Sequence, residues 1–577
     1  MFDHYFHQEL AQLRDLGAEF AKAHPAVAPM LSGMSTDPDA ERLLEGVAFL
    51  TALLRQRLDD DFPEIVQELF QLIWPHYLRP LPAATIVAFT PKANPKQAIP
   101  VAKGTYLASE PVEGTACTFR TCSDVVVEPL TVEQAAYEEQ PGRPPRIRLQ
   151  MALKGVSLKD WRPERLRFHL AGSFPEAADI YLLLRRHLQR VVLTAPEDNH
   201  VCVLPAEDLR PVGFDDADVL IEYPPHSFPG YRILQEYFLL PEKFLFLDLH
   251  GWQQWTPNGD DTRFEIRFEL TPSKLPPPRV RREHFALAAT PAINIFPYDA
   301  DPIRLDHRKS EYRVMPSGGE RGHFQIHSVT GVTGFVQGTA KERVYAPFEL
   351  FSPNPEANPT YHLRMRQSPV RHAADFYLSV AYPPGAPPPA TETLSIQLQC
   401  TNGQLPEGLQ RGDIRHPTSN TPEFVAFTNL RPPTASVLVT PGSNLHWKLL
   451  SHLCLNYQSL TDVDNFRALL GLYNFEENRD RPAFMAHQKR ISGVRAIRAE
   501  ASDRLVDRVV MRGREIRMEV HQDHFSGPGD LFLFGTVLSR FFGLYASINT
   551  YTRLSMQEIL KGESYQWKAR IGDHPLI

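Results

Sequence analysis

The hydrophobic period of this chain changes once, at Pro80, and that change constrains the fold more than any other feature. Before Pro80 the apolar residues recur at helical spacing: Phe2, Phe6, Leu13, Leu16 and Phe20, then Leu43, Val47, Leu50, Leu54 and Leu58. Leu44 and Leu53 widen the second stripe. After Pro80 the period falls to two, as expected of half-buried strands. Thr85–Thr90, Arg146–Met151, Arg165–Leu170, Phe244–Leu249 and Arg263–Leu270 read this way. The helical segment also carries the whole net charge of −7, with 13 acidic and 6 basic residues up to Pro80 and 55 of each beyond it. Acidic helices with apolar stripes ahead of a β-rich body fit a docking element, and equally a helical hairpin packed on its own domain.

Local signals set the boundaries. A first helix, Phe2 to Ala23, stops at His24-Pro25, because the residue before proline avoids the α region. Asp37 as N-cap and Pro38 at the first helical position start a second, which ends near Asp59-Asp60-Asp61. Asp61 and Glu64 form a capping box for a third, Pro63 to Trp74. Trp74 and Tyr77 then flank a proline-rich exit, Trp74 to Pro80, expected to be rigid. Further on, Ser173 and Glu176 read as a capping box before the apolar face Ile180–Leu188. Helices are also expected at Tyr231–Leu239, Leu445–Tyr457, Asp462–Leu472 and Asp530–Tyr545. Between Ile293 and Thr440 the pattern is nearly all strand and turn, including Asp375–Ala381 and Thr393–Cys400. The last helix is apolar on every side, so it must be covered. The faces around Trp447, Leu450, Cys454, Tyr457 and Leu469 would cover it mainly within the C-terminal domain. These elements give an α+β chain: an acidic N-terminal helical segment (1–84), a β-rich α+β domain (85–290) and a β-rich domain (291–440), both sandwich-like wings, and a mixed α/β C-terminal domain (441–577).

Composition excludes several function classes. Its 577 residues exceed one core. The 52 prolines, roughly 9% against a usual share of about 5%, are spread in pairs and triplets, which implies many short segments joined by rigid turns. A net charge of −7 argues against nucleic acid as a partner. The basic stretch Lys489–Arg517 is interleaved with Glu500, Asp503, Asp507 and Glu515, as a solvated mixed-charge face would be. Five cysteines, an odd and sparse number, fit a reducing compartment. The acidic amphipathic start is unlike a signal peptide. The most apolar run, Leu531–Tyr545, is too short to span a membrane and contains Arg540.

No catalytic constellation emerges. Cys117 and Cys122, separated by four residues, have no Cys/His pair at zinc spacing to join them. His521 and His524 precede Gly527-Pro528-Gly529 and so read as a surface turn. His4 and His7 read as exposed or capping groups. There is no nucleophile elbow, Walker loop or dinucleotide fingerprint. Gly318-Gly319 with Gly322 is a hairpin signal, and Arg411-Gly412-Asp413 a turn. No metal, cofactor or catalytic activity is therefore expected.

The wording of several segments is more specific than their pattern. Asp37-Pro-Asp-Ala-Glu-Arg-Leu-Leu-Glu-Gly-Val-Ala-Phe-Leu50, Leu58-Asp-Asp-Asp-Phe-Pro-Glu64 and Trp74-Pro-His-Tyr-Leu-Arg-Pro80 resemble the opening of the TssF (VasA/ImpG) family of type VI secretion baseplate subunits. The similarity continues through Val212-Gly-Phe214, Gly230 to Phe238, Pro241 to Phe246, Asn294-Ile-Phe296, Leu394 to Asn402 with Leu405-Pro406, Leu453 to Leu460, Arg512 to Glu515 and Tyr545 to Asn549. Trp74 stands where many relatives carry tyrosine, and Asp216-Ala-Asp218 replaces a commoner Glu-Leu-Leu-Pro-like run. The resemblance implies a structural role without cofactor. Two TssF copies would join one TssG, and TssK and TssE would complete a wedge. Neighbouring wedges would surround the VgrG spike hub and carry the contractile tail. It implies a bacterial cytoplasmic protein, recruited to an inner-membrane-anchored complex without inserting into the membrane. The partner-binding candidates are then Leu43, Val47, Leu50, Leu54, Leu58, Trp74 and Tyr77. Two other readings compete: a stand-alone β-rich carbohydrate- or peptide-binding protein, with Trp252 and Trp255 lining its surface, and a hydrolase with an unrecognised site.

Overall fold

The computed structural model describes residues 78–93, 95–196, 201–223, 227–257, 260–318, 322–336, 342–348, 359–367, 374–382, 391–437, 461–475, 480–506 and 509–572, with 42–53 and single positions between 6 and 39 in the N-terminal segment. The chain divides into two units, one of Met1–Trp74 with Pro441–Leu450 and one of Pro75–Thr440 with Ser451–Ile577. In the first unit the described positions among residues 6–16, position 39 and residues 42–53 are helical. The expected helix Pro63–Trp74 and the ends of the other two lie outside the described residues, as does Leu445–Tyr457.

The second unit is built on sheets, and its strands follow the two-residue period closely. Ala84–Pro91, Arg146–Leu153, Leu166–Leu170 and Arg263–Leu270 all form where expected. Phe264, Ile266, Phe268 and Leu270 are buried while the residues between them are partly exposed. The expected strand at Phe244 begins two residues later, at Phe246, because Pro241 opens a 3₁₀ turn through Phe244.

Strand order departs from chain order. A six-stranded sheet runs Ile414–Pro417, Tyr106–Val112, Thr115–Thr121, Ala289–Ile293, Ala84–Pro91, Val425–Asn429. Ala84–Pro91 is inserted between two strands from much later in the chain, with Val87 opposite Thr290 on one side and Asn429 on the other. A five-stranded sheet (Cys202–Pro205, Leu188–Thr194, Arg263–Leu270, Arg146–Leu153, Leu130–Glu138) and a four-stranded one (Leu209–Val212, Phe246–Leu249, Leu166–Leu170, Phe285–Leu287) follow. An eight-stranded sheet collects the strands between Phe296 and Thr401. The C-terminal sheet starts with the long hairpin Val494–Val506 and Val509–Val520, whose second strand pairs in parallel with Tyr551–Glu558. The two parallel strands are joined by a crossover helix.

Five helices carry labels: α1 (Phe174–Leu182), α2 (Pro229–Leu239), α3 (Val463–Leu472), α4 (Arg481–Ser492) and α5 (Pro528–Leu544). Ser173 does not cap α1 as expected. Its hydroxyl donates to Glu176 Oε2 at 2.8 Å, so the serine and the acid satisfy each other rather than the helix amides. The last turn of the apolar stretch widens into a π-helix, Leu183–His187. α4 carries no clear apolar stripe. It was not expected from the sequence, where the local signal that could have found it is Asp480, whose carboxylate accepts from Ala483 N at 3.0 Å, with Pro482 in the first turn.

α5 is the all-apolar helix, and it is buried from Gly529 to Gly543 except at Arg540. Of the cover expected, α3 takes part and the faces around Trp447, Leu450, Cys454 and Tyr457 lie outside the described residues, but most of the described cover comes from elements that were not expected. α1 and α2, from the middle of the chain, pack on it together with Tyr551–Glu558. Tyr181 and Phe532, Tyr237 and Phe534, and Tyr231 and Phe541 meet ring to ring across these contacts. Tyr231 and Tyr545 share a hydrogen bond, and Trp567 stacks on Phe532. α3 contributes a stack of Phe466 on Phe542, at 5.6 Å. Gly529 lies against the backbone of α1, where a Cβ would stand 2.2 Å from the Ala178 carbonyl carbon, and its amide donates to Asp179 Oδ1 at 2.9 Å. A helix covered by elements so distant in sequence cannot be buried by a fragment lacking them. The isolated segment from Ser443 to Ile577 is therefore expected to aggregate, and co-expression with residues 85–290 should rescue its solubility. Gly529→Ala should cost about 3 kcal/mol through the overpacked α1 contact, and Phe541→Asp should unfold the unit, both read by urea unfolding of the full chain.

Candidate functional site

Two kinds of residue could carry function: groups with chemistry, and groups positioned for contact. The thiols come first. Cys117, Cys122, Cys202 and Cys400 are free and buried. Burial pushes Cys117 up to about 11 and Cys122 and Cys400 up to about 12. A thiol held protonated is a poor nucleophile and a poor metal ligand. His521 and His524 flank a 3₁₀ turn with their rings stacked, and the Nδ1–H of His524 donates to the Lys489 carbonyl at 2.9 Å. Among the described residues no group of three or more His, Cys, Asp or Glu side chains could hold a metal ion.

The tryptophans offered as a sugar platform are in the core. Trp252 and Trp255 are each 3% exposed. They pack with Trp161 and Phe264, and Trp252 Nε1–H donates to the Leu249 carbonyl at 2.9 Å. The basic stretch 489–517 lies in α4 and the long hairpin, where Arg517 meets Glu500 at 3.2 Å and Arg512 meets Asp503 at 3.8 Å. These two arginines are thus paired with acids across the strands at the surface.

Buried charge is concentrated elsewhere, in pairs. Glu236 of α2 and Lys243 of the next turn are both fully enclosed and in direct contact. The second Glu236 oxygen accepts from Leu220 N at 2.8 Å and Ile221 N at 3.4 Å. Asp530, at the start of α5, accepts from Arg490 Nε at 3.0 Å and from the Ser526 amide and hydroxyl. Glu392 receives Arg343 at 2.6 Å and the Tyr345 hydroxyl at 2.8 Å. Arg167 clamps Asp248 with two bonds of 2.7 and 2.9 Å. Enclosed pairs add little net stability, but losing one member strands the other. Two buried asparagines do the same between sheets. Asn294 Nδ2 donates to the Thr118 carbonyl and to Asn402 Oδ1, both at 2.8 Å, and Asn294 Oδ1 accepts from Asn402 N at 2.7 Å.

Four of these groups, Glu236, Lys243, Asn294 and Asn402, fall in the segments singled out by their wording. Asn294 and Asn402 belong to two of them and are bonded to each other. Gly213 has φ +99° and sits where a Cβ would meet the Lys243 carbonyl at 2.5 Å, joining Val212–Phe214 to Pro241–Phe246. Gly513 faces the ring of Tyr551, with 2.3 Å left for a Cβ. The sequence offered no sign that these segments meet, since pairing between distant segments leaves no local pattern.

The remaining candidates lie on the N-terminal helix, residues 42–53. Leu43 is 72%, Val47 40% and Leu50 61% exposed, and Phe49 and Leu53 are exposed as well. The face that packs inward carries Ala48 and Ala52, both at 0%. Leu43, Val47, Phe49, Leu50 and Leu53 thus point away from the packed face, on which Leu44, partly buried, joins the two alanines among the described residues of this helix. Leu54, Leu58, Trp74 and Tyr77 lie outside the described residues.

The sequence model of the family described as "Type VI secretion system, TssF" matches residues 1–574. The chain belongs to the TssF family. The type VI secretion system component TssF1 of Pseudomonas aeruginosa is 31% identical to it, over 99% of this chain and 98% of that protein. A chain of the TssK-TssF-TssG baseplate subcomplex, solved by cryo-electron microscopy, superposes with a TM-score of 0.78 at 29% identity, covering 93% of this chain and 99% of that one. A chain of the type VI secretion baseplate complex gives 0.61 at 25% identity over the full length of both. The chain is thus a TssF baseplate subunit of the type VI secretion system, and its fold class is the α+β one expected.

Two predictions test how this TssF chain is held together. Lys243→Met should strand Glu236 and cost about 3–5 kcal/mol, while the double change Glu236→Gln, Lys243→Met should recover most of that loss in urea unfolding. Burial and a nearby arginine hold His169, His327 and His487 down at about 3, with Arg431, Arg79 and Arg490 the respective cations. Unfolded, these rings take up protons near 6.5, so the unfolded chain binds more protons between about pH 6.5 and 3. Stability should fall as pH drops through that window, by about 1 kcal/mol per histidine at pH 5.5. His487→Gln should flatten the pH profile of the unfolding midpoint.

Proposed function

We propose that this chain serves as a non-catalytic wedge scaffold, with its N-terminal helical stripe as the assembly surface. Leu43, Val47 and Leu50, continued by Leu54, Leu58, Trp74 and Tyr77, pack against helices of TssG and of a second TssF copy, in a ratio of two TssF to one TssG. TssK and TssE complete the wedge, and neighbouring wedges close around the VgrG spike hub to give the contractile tail its platform. Assembly takes place in the bacterial cytoplasm, at the membrane-anchored secretion complex. Among the described residues no helix is long and apolar enough to cross a membrane.

The observation that carries this reading is the helix at residues 42–53, with Ala48 and Ala52 fully buried and Leu43, Val47, Phe49, Leu50 and Leu53 exposed. Covering one such leucine is worth about 1.5–3 kcal/mol, and a stripe of them is a sufficient anchor for a stable complex. The solved relatives support it, since one was determined in a subcomplex named for TssK, TssF and TssG. Leu50→Asp should leave the chain folded, because the side chain is exposed, and abolish co-purification with TssG. Leu50→Met should retain it. A charged variant that still recovers TssG in normal yield would remove Leu50 from the interface.

A further inference from the structure

One cavity of about 270 Å³ lies among the loop Phe214–Asp216, the start of α2, the last turns of α5 and the strand Arg570–Ile571. Three guanidinium groups line it, each from a different element: Arg232 from α2, Arg540 from α5 and Arg570 from the strand. Two carboxylates stand at the rim. Asp216 meets Arg232 Nη2 at 2.5 Å, and Asp215 meets Arg540 Nη1 at 3.5 Å. Both aspartates are well exposed, so water screens their charge, whereas Arg232 is 8% exposed. Arg570 has no carboxylate within 4.0 Å among the described residues, and its Nε reaches only Ser539 Oγ, at 3.4 Å.

The donors are not used up. Arg232 Nε and Arg540 Nε are buried without a hydrogen-bond partner among the described residues. Both atoms are closed to solvent, so an anion in the cavity would meet the terminal nitrogens of the guanidinium forks instead. Burial and the neighbouring Arg540 hold Arg570 down to about 10, with Asp215 and Tyr181 offsetting only part of that. Gly543 keeps the arrangement open, since a Cβ there would stand 2.8 Å from Arg570 Cδ.

We infer that this cavity is a binding site for a small oxyanion, a phosphate or carboxylate group gripped by Arg232, Arg540 and Arg570. Planar guanidinium forks match two oxygens of such a group at once, which an ammonium could not do. The volume is below the roughly 300–1,000 Å³ of sites that enclose a drug-sized ligand, so the occupant is a small anion or the acidic end of a longer one. The site joins α2, α5 and the last strand, so it goes beyond the helical assembly surface and does not depend on it.

Titration calorimetry on the full chain with inorganic phosphate, and separately with acetate, against chloride at equal ionic strength, tests this. Saturable binding of about one anion per chain is expected. The probe that binds tighter tells whether the natural group is a phosphate or a carboxylate. Arg570→Gln should weaken binding by about tenfold or more, Arg570→Lys by less. Asp215→Asn, which removes a rim acid, should tighten it, a gain that a purely structural role for the arginines would not produce. Should Arg570→Gln fail to fold, Arg570→Lys and Asp215→Asn carry the test between them. Heats for both probes no different from chloride, or an affinity unmoved by these variants, would overturn the inference.

Discussion

A helix with no polar side has to be enclosed, and in this chain the enclosure of α5 organises everything around it. No single neighbour can cover Leu531, Phe532, Leu533, Phe534, Val537, Leu538, Phe541 and Phe542, which point in all directions. α1 and α2 take two sides, the C-terminal sheet a third, and Phe466 closes part of what remains. The C-terminal elements are thereby fastened to the middle of the chain by contact between apolar surfaces. The polar groups at that joint serve the same end: Asp179 receives the amide of Gly529, and Asp530 holds Arg490.

Buried charge in this chain does positional work. Glu236 is occupied by Lys243 and two backbone amides, Glu392 by Arg343 and Tyr345, and Asp248 by two arginines. Each fixes where one segment lies against another. A baseplate subunit has to present its surfaces at set angles, and enclosed ion pairs with few alternative partners suit that demand.

Local structure was legible in the sequence wherever one face of an element is buried. The period of two gave Arg263–Leu270 to the residue, and the combination of Asp462 with the stripe that follows gave α3. Legibility failed where the deciding interaction is remote. Ser173 and Glu176 have the spacing of a capping box, but their side chains bond each other. α4 has little stripe because few of its residues are buried, His487 and Ile491 among them. The partners of α5 could not be read because the faces of α1 and α2 look like any other apolar faces. At the candidate assembly surface the stripe was visible, yet its direction was not. The two fully buried residues of that helix, Ala48 and Ala52, mark the side that packs inward, and alanine weighs little in a hydrophobic pattern.

The position of Ala84–Pro91 has a consequence for the order in which the protein is made. This strand is completed on its two edges by Ala289–Ile293 and Val425–Asn429. It therefore leaves the ribosome long before either neighbour exists. At about 5–20 residues per second the wait for the second is on the order of 20–70 s. Throughout that interval the segment ahead of it, with its outward leucines, is already in solution while the sheet is still open. The unit to which that segment belongs waits longer still, since Pro441–Leu450 is part of it and is made after the last strand of the sheet.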